Sequence, residues 1–185
     1  MTRLTWLADT LRSAGLRVQE QSDWQSRGND FDAQPIGVVC HHTAGPLGGN
    51  MPSLGTVIHG RPDLTGPLSQ LCLGRDGIFY IVAAGRANHA GPGMWMGVTG
   101  GNARFIGIEA ENSGETSGPH AEAWPKAQME AYRHGVAALL SRLGVLSYMC
   151  CGHKEYALPA GRKPDPSFDM QIFRLDVFNL MRQSI

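Results

Sequence analysis

The stretch from Gly152 to Asp169 constrains this chain more than any other. It carries an imidazole at His153, charges at Lys154, Glu155, Arg162, Lys163 and Asp165, and prolines at positions 159, 164 and 166. Proline fixes φ and removes a backbone donor. The whole stretch is therefore expected as one stiff loop, without helix or sheet pairing, that presents His153, Lys163 and Asp165. Rigid loops on a scaffold commonly carry function. One imidazole and one carboxylate do not make a site, so a third partner must come from elsewhere in the chain.

That partner lies more than a hundred residues upstream, in Pro35-Ile36-Gly37-Val38-Val39-Cys40-His41-His42-Thr43-Ala44-Gly45. The short apolar, β-branched run Ile36 to Cys40 reads as a buried central strand. Neighbouring side chains on a strand point to opposite faces. His41 and His42 therefore face one site together only if the strand ends between them. Otherwise one is functional and the other packs.

A second informative strand is Phe105-Ile106-Gly107-Ile108-Glu109-Ala110-Glu111-Asn112. Alternation puts Ile106, Ile108 and Ala110 on one face and Gly107, Glu109 and Glu111 on the other. Burying the apolar face leaves both carboxylates on a face that is either solvated or a cleft.

Together, His41-His42-Thr43-Ala44, Ile106-Gly107-Ile108-Glu109 and the closing Gly152-His153 and Lys163-Pro164-Asp165-Pro166 resemble the zinc-dependent N-acetylmuramoyl-L-alanine amidases. That family shares its fold with peptidoglycan recognition proteins and occurs in phage endolysins. The resemblance runs from about Ile36 to Asp169. The wording of Arg86-Ala87-Asn88-His89-Ala90-Gly91 is most similar to lysins of phages that infect actinobacteria. The resemblance implies an α/β fold, a mixed central β-sheet flanked by helices. It implies zinc ligands at His41, His153 and Asp165, catalytic roles for Glu109 and Lys163, and His89 lining a cleft for muramyl sugar or stem peptide. Glu111 becomes a supporting residue. The substrate would be peptidoglycan, cut between the muramic acid lactyl group and L-alanine. In the resembling phage amidases a Tyr near the position of Ser69 can assist the chemistry. Here Ser69 stands there, which leaves that assistance without its residue.

This set of residue types suits amide hydrolysis. Zinc with three protein ligands and an open fourth position acidifies water and polarises a carbonyl. Two imidazoles and one carboxylate match that metal better than magnesium or calcium, which favour oxygen cages. A carboxylate beside it can carry a proton from water to the leaving amine, and a lysine two residues from Asp165 can stabilise an oxyanion.

The rest of the chain reads as one amidase unit. Residues 1–34 hold an N-terminal helix and a lead-in segment, 35–169 the catalytic core, and 170–185 a C-terminal helix. Leu4, Leu7 and Leu11 mark the first helix, ended by Gly15, and Leu16 to Gln21 reads as a strand. Ser53 is placed to cap a short helix holding Leu54, Val57 and Ile58. Ser69–Leu73 and Ile78–Ala84 read as a hairpin. Pro125 to Leu143 is the clearest helix, with Met129, Tyr132, Val136, Leu139, Leu140 and Leu143 on one stripe and Gly144 at its end. The last helix begins near Ser167 or Asp169, with Met170, Phe173, Val177 and Leu180 inward. In the glycine-rich 91–101 loop, Trp95 between two methionines reads as a sugar-stacking wall or as a lid packed on the core. His59, His120 and His134 read as surface or packing residues.

Composition excludes several partners. Lys and Arg together number 16, as do Asp and Glu, so no basic grip on nucleic acid is expected. No apolar run approaches the ~20 residues that cross a membrane. Leu4 to Leu16 is broken by Asp9, Arg12 and Ser13, which does not read as a signal peptide. Synthesis in the cytosol is expected, with action on the wall after release. Cys40, Cys72, Cys150 and Cys151 form no Cys-x-x-Cys pair and read as reduced core thiols. A monomer is expected, and an endolysin usually adds a wall-binding domain, so the chain reads as a catalytic unit. Alternatives are a bacterial recycling or autolytic amidase, and a binding module of the same fold without activity.

Overall fold

The computed structural model describes residues 2–183. Leu4, Leu7 and Leu11 are fully buried, and the last two lie on helix α1, Leu7–Ser13, beyond which Gly15 takes a left-handed φ of 77°. Strand β1 is Val18–Glu20 and β2 is Val38–His42. Helix α2, Leu54–His59, leads into a small hairpin of β3, Gly60–Arg61, and β4, Leu64–Thr65. The expected larger hairpin pairs β5, Leu71–Leu73, with β6, Phe79–Ile81. A helical turn α3, Gly101–Arg104, precedes β7, Ile106–Ala110, and the long helix α4, Lys126–Leu143, follows, ended by Gly144 at φ 70°. Strand β8, Cys150–Gly152, runs into a helical turn α5, His153–Tyr156, and the chain closes with α6, Met170–Gln183. Residues 184 and 185 of the expected C-terminal helix lie outside the described residues.

Six strands form a mixed sheet in the order β1-β6-β5-β7-β2-β8, flanked by helices. Only the β5–β6 pair is antiparallel. On one face Val38, Cys40, Ile106, Ile108, Ala110 and Cys150 join side chains from α1, α4 and α6 in the main core. Removing one such aliphatic side chain from water stabilises a fold by roughly 1.5–3 kcal/mol. Among the described residues no helix is long and apolar enough to cross a membrane. All four cysteines are free and buried, with Cys40 Sγ 3.5 Å from Cys150 Sγ.

Three expectations need correction. The strand expected over Ile36 to Cys40 runs instead from Val38 through His42, and it lies second from the sheet edge. Its pairing with β7 carries on as far as His42 opposite Ala110. The 152–169 stretch is not all loop, because His153–Tyr156 forms a helical turn. Glu155 reaches back to accept from Gly152 N at 2.9 Å, and Arg174 holds that carboxylate from α6 at 2.6 and 2.8 Å. The prolines enter only after this turn. Ser53 precedes α2 but does not cap it. Its hydroxyl donates to Glu111 Oε1 at 2.9 Å.

A hydroxyl from α4 holds the end of β2. Tyr132 Oη accepts from His41 N at 3.0 Å and lies 3.1 Å from both His41 O and Ile108 O, fully buried. An unpaired buried amide costs about 1–3 kcal/mol. Tyr132→Phe is therefore expected to lower stability by about that amount, read as a lower urea midpoint at unchanged slope. An unaltered midpoint would show that the hydroxyl contributes nothing to the strand end.

Candidate metal centre

β2, β7 and β8 are neighbouring parallel strands, so their carboxyl ends lie at the same edge of the sheet. His41 stands directly opposite Glu109 in the β2–β7 register. His153 is the first residue after β8, which itself pairs with β2 through Cys40 opposite Gly152. Open α/β sheets place ligands in the crevice outside the carboxyl ends of their strands. Alternation sends His41 and Glu109 to the face away from the main core, and His42 to the other. There the His42 ring lies 6.4 Å from that of Trp124. One histidine serves the cluster and the other packs.

Asp165 comes from the proline-bearing loop. The loop is tied to α5 by Lys154 N donating to Asp165 O at 2.6 Å. Phe168 anchors its far end, stacked on Phe173 with centroids 4.9 Å apart and edge-on to Trp124 and Tyr132. His41 Nδ1 lies 3.0 Å from both His153 Nδ1 and Asp165 Oδ2, and His153 Nδ1 lies 3.1 Å from Asp165 Oδ2. All three residues are buried. Among the described residues this is the one group of three or more His, Cys, Asp or Glu whose ligand atoms lie close enough together to hold a metal ion.

The distal nitrogens show what these atoms carry. His153 Nε2 lies 2.9 Å from Ala90 O, and a carbonyl only accepts, so Nε2 bears a proton and Nδ1 is the atom turned to the cluster. His41 Nε2 lies 3.1 Å from His89 Nδ1, while His89 Nε2 lies 3.2 Å from Phe105 O. The Phe105 carbonyl claims the proton of His89 Nε2, which leaves His89 Nδ1 to accept and His41 Nε2 to donate. His41 Nδ1 is then bare. Burial pushes His41 down to about 4, against the attraction of Asp165, so the ring is neutral near pH 7. With both Nε2 atoms turned to other partners, the two Nδ1 atoms and Asp165 Oδ2 face one another at about 3 Å, an arrangement that fits a cation.

Glu109 stands beside the cluster, with Oε1 3.9 Å from His41 Nδ1. Its Oε2 is buried with no hydrogen-bond partner, which is uncommon for a buried carboxyl oxygen. Burial first, and the Asp165 charge next, raise its pKa to about 8, with Lys163 opposing the rise. Lys163 borders a cleft of about 280 Å³ together with His89, His153, Arg61 and Arg162.

Glu111 is drawn away from this group. It is fully buried rather than solvated, and accepts from Thr43 Oγ1 at 2.7 Å and from Ser53 N and Oγ at 2.9 Å. His89 is also buried, its pKa pushed well below the ordinary histidine value by burial first and by the neighbouring His41 next. Ser69 is buried, its hydroxyl donating to Leu71 O at 2.6 Å. Trp95 packs rather than forming a free wall: its Nε1 donates to Tyr148 O at 2.7 Å and Arg174 lies over its ring. His59, His120 and His134 are exposed. Two positions that the sequence reading missed support the site. Asn102 Oδ1 accepts from His89 N at 3.0 Å and Ala90 N at 2.8 Å, and Gln70 Oε1 accepts from Gly107 N at 2.7 Å. A glutamine just before the apolar strand β5 is a readable signal, whereas Asn102 in a glycine-rich turn is not.

A profile of the family described as N-acetylmuramoyl-L-alanine amidase matches residues 31–168. No curated protein sequence matches. Among solved structures, a selenomethionine derivative of AmpD shares 25% identity at a TM-score of 0.62, over 87% of this chain and 93% of that one. The endolysin amidase LysCS from Clostridium intestinale URNW shares 20% identity at a TM-score of 0.60, over 87% and 95%. AmiD from E. coli shares 23% at a TM-score of 0.60, over 81% and 61%.

The cluster generates a direct expectation. One divalent ion should bind per chain and, at a free concentration of 100 times its Kd, add about 2.7 kcal/mol of stability. Asp165→Ala should abolish that thermal shift while the metal-free chain still folds. A shift of wild-type size in Asp165→Ala would place the ion elsewhere.

Proposed function

Because the chain belongs to the N-acetylmuramoyl-L-alanine amidase family, we propose that it is a zinc enzyme that hydrolyses the amide between N-acetylmuramic acid and L-alanine in peptidoglycan. The observation that carries this reading is the meeting of His41 Nδ1, His153 Nδ1 and Asp165 Oδ2 at about 3 Å, with the Glu109 carboxyl group beside them. His41, His153 and Asp165 would hold the zinc, a set of two nitrogens and one oxygen that suits this metal. Zinc so placed supplies Lewis acidity for water activation and carbonyl polarisation.

The remaining steps belong to the chain's own groups. Glu109, ionised once a cation beside it offsets burial and the Asp165 charge that raise its pKa, would take a proton from the attacking water. As the C–N bond breaks, it gives that proton to the leaving nitrogen, so that a lactyl carboxyl and a free L-alanine amine result. Lys163, at the cleft, offsets the negative charge that develops on the carbonyl oxygen. In the same cleft Arg61 is paired with Asp63 at 2.9 Å, so Arg162 and Lys163 supply the uncompensated positive charge that favours an anionic stem peptide. AmiD from E. coli has been solved with the substrate anhydro-N-acetylmuramic acid-L-Ala-D-gamma-Glu-L-Lys, and the likeness of fold supports a muramyl peptide as the ligand class. A module that only binds wall would need none of the three ligands, and all three are present.

We place the chain in a phage endolysin, on the resemblance of Arg86–Gly91 to actinobacteriophage lysins and the likeness of fold to LysCS. Mass spectrometry of digests separates this from a recycling role. An endolysin unit releases stem peptides from intact cross-linked wall, and cleavage confined to soluble muramyl fragments would contradict that placement.

Two substitutions test the roles. Glu109→Gln keeps size and hydrogen bonding but cannot accept the proton, so turnover should fall about 10²–10⁴-fold with zinc retained. A zinc-loaded Glu109→Gln protein that cleaves at the wild-type rate would remove Glu109 from the chemistry. Lys163→Ala should lower turnover about 10²–10³-fold with fold and zinc content intact. Near wild-type turnover would return Lys163 to an ordinary loop lysine.

A further inference from the structure

The loop before α3 supports both ligand histidines from behind. Ala90 O takes the Nε2 proton of His153, and His89 Nδ1 faces His41 Nε2 at 3.1 Å. The loop is itself fixed. Asn102 Oδ1 accepts from the amides of His89 and Ala90, and Phe105 O holds the far nitrogen of His89. The site also makes room for this ring. A Cβ on Gly107 would lie 2.7 Å from His89 Cγ, so only glycine lets the imidazole sit against β7. The ring lies edge-on to His41, with centroids 5.3 Å apart.

We propose that His89 is a positioning residue, whose Nδ1 accepts the Nε2 proton of His41 and so keeps His41 Nδ1 bare and aimed at the metal. The inference rests on the metal site proposed above and assigns His89 a task other than contact with sugar or peptide. The reasoning is one of proton supply. Phe105 O cannot donate, so His89 Nε2 must, and the other nitrogen of a neutral imidazole then accepts. If His89 were absent, His41 Nε2 would be buried without an acceptor. The His41 proton could then move to Nδ1, where it would oppose a cation. Partners that orient a metal-bound histidine in this way typically alter metal affinity 10–100-fold when removed.

The test compares wild-type protein with His89→Leu, His89→Gln and Gly107→Ala. Zinc affinity is measured by competition with a chelating dye. The His41 tautomer in the metal-free protein is read by long-range proton–nitrogen NMR. Wild-type protein should show His41 protonated at Nε2 and should bind one zinc. His89→Leu should weaken zinc binding about 10–100-fold and lose the single His41 tautomer. His89→Gln should recover most of the affinity, because its amide oxygen can accept from His41 and its amide nitrogen can donate to Phe105 O. Gly107→Ala retains His89 but displaces it, and should also weaken zinc binding, which keeps the inference testable if His89→Leu does not fold. Wild-type affinity and tautomer in both His89→Leu and Gly107→Ala would overturn the inference, as would a rise in KM for muramyl peptide at unchanged zinc affinity. Equal losses in His89→Leu and His89→Gln would also overturn it. If wild-type protein binds no zinc, the failure lies with the metal site and not with His89.

Discussion

His41 Nδ1, His153 Nδ1 and Asp165 Oδ2 meet at 3.0–3.1 Å, buried at the carboxyl ends of β2 and β8. Holding three polar atoms this close out of water needs a scaffold that fixes each of them. Each contributing element is fixed by contacts that have nothing to do with the ligand atoms. Tyr132 secures the backbone of His41, Glu155 and Arg174 secure the turn that starts at His153, and the Phe168 aromatic cluster secures the loop of Asp165. The scaffold therefore holds the geometry.

Parallel pairing makes this convergence economical. Register alone sets His41 beside Glu109, since residues opposite each other on parallel strands share a face. The same alternation sends His42 to the opposite face, beside Trp124. Alternation alone would leave Glu111 on the face of Glu109, but β7 ends at Ala110, and Thr43 and Ser53 hold the Glu111 carboxylate apart from the cluster.

Much of this was legible in the sequence because it depends on short-range pattern. The β-branched run before His41, the alternation around Glu109, the α4 stripe and the Gly144 stop are all read within a few residues. What stayed hidden depends on partners far along the chain. The turn at His153 forms because Glu155 is gripped by Arg174 of α6, nineteen positions later. Ser53 resembles a helix cap, yet its hydroxyl serves Glu111, which lies 58 residues away. The cleft-lining expectation for His89 follows the family pattern. The hydrogen bonds behind His41 emerge only once Phe105 O and Gly107 come together around the ring. Identity of the candidate ligand residues is carried by motif, whereas the partners of their distal nitrogens are set by tertiary contacts.

The most direct test is a crystal structure of the zinc-soaked protein with anomalous data at the zinc edge. One peak is expected within about 2.0–2.2 Å of His41 Nδ1, His153 Nδ1 and Asp165 Oδ2, with both Nε2 atoms still on Ala90 O and His89. The absence of a peak there, or ligation through Nε2 of either histidine, would contradict the proton arrangement on which the site depends.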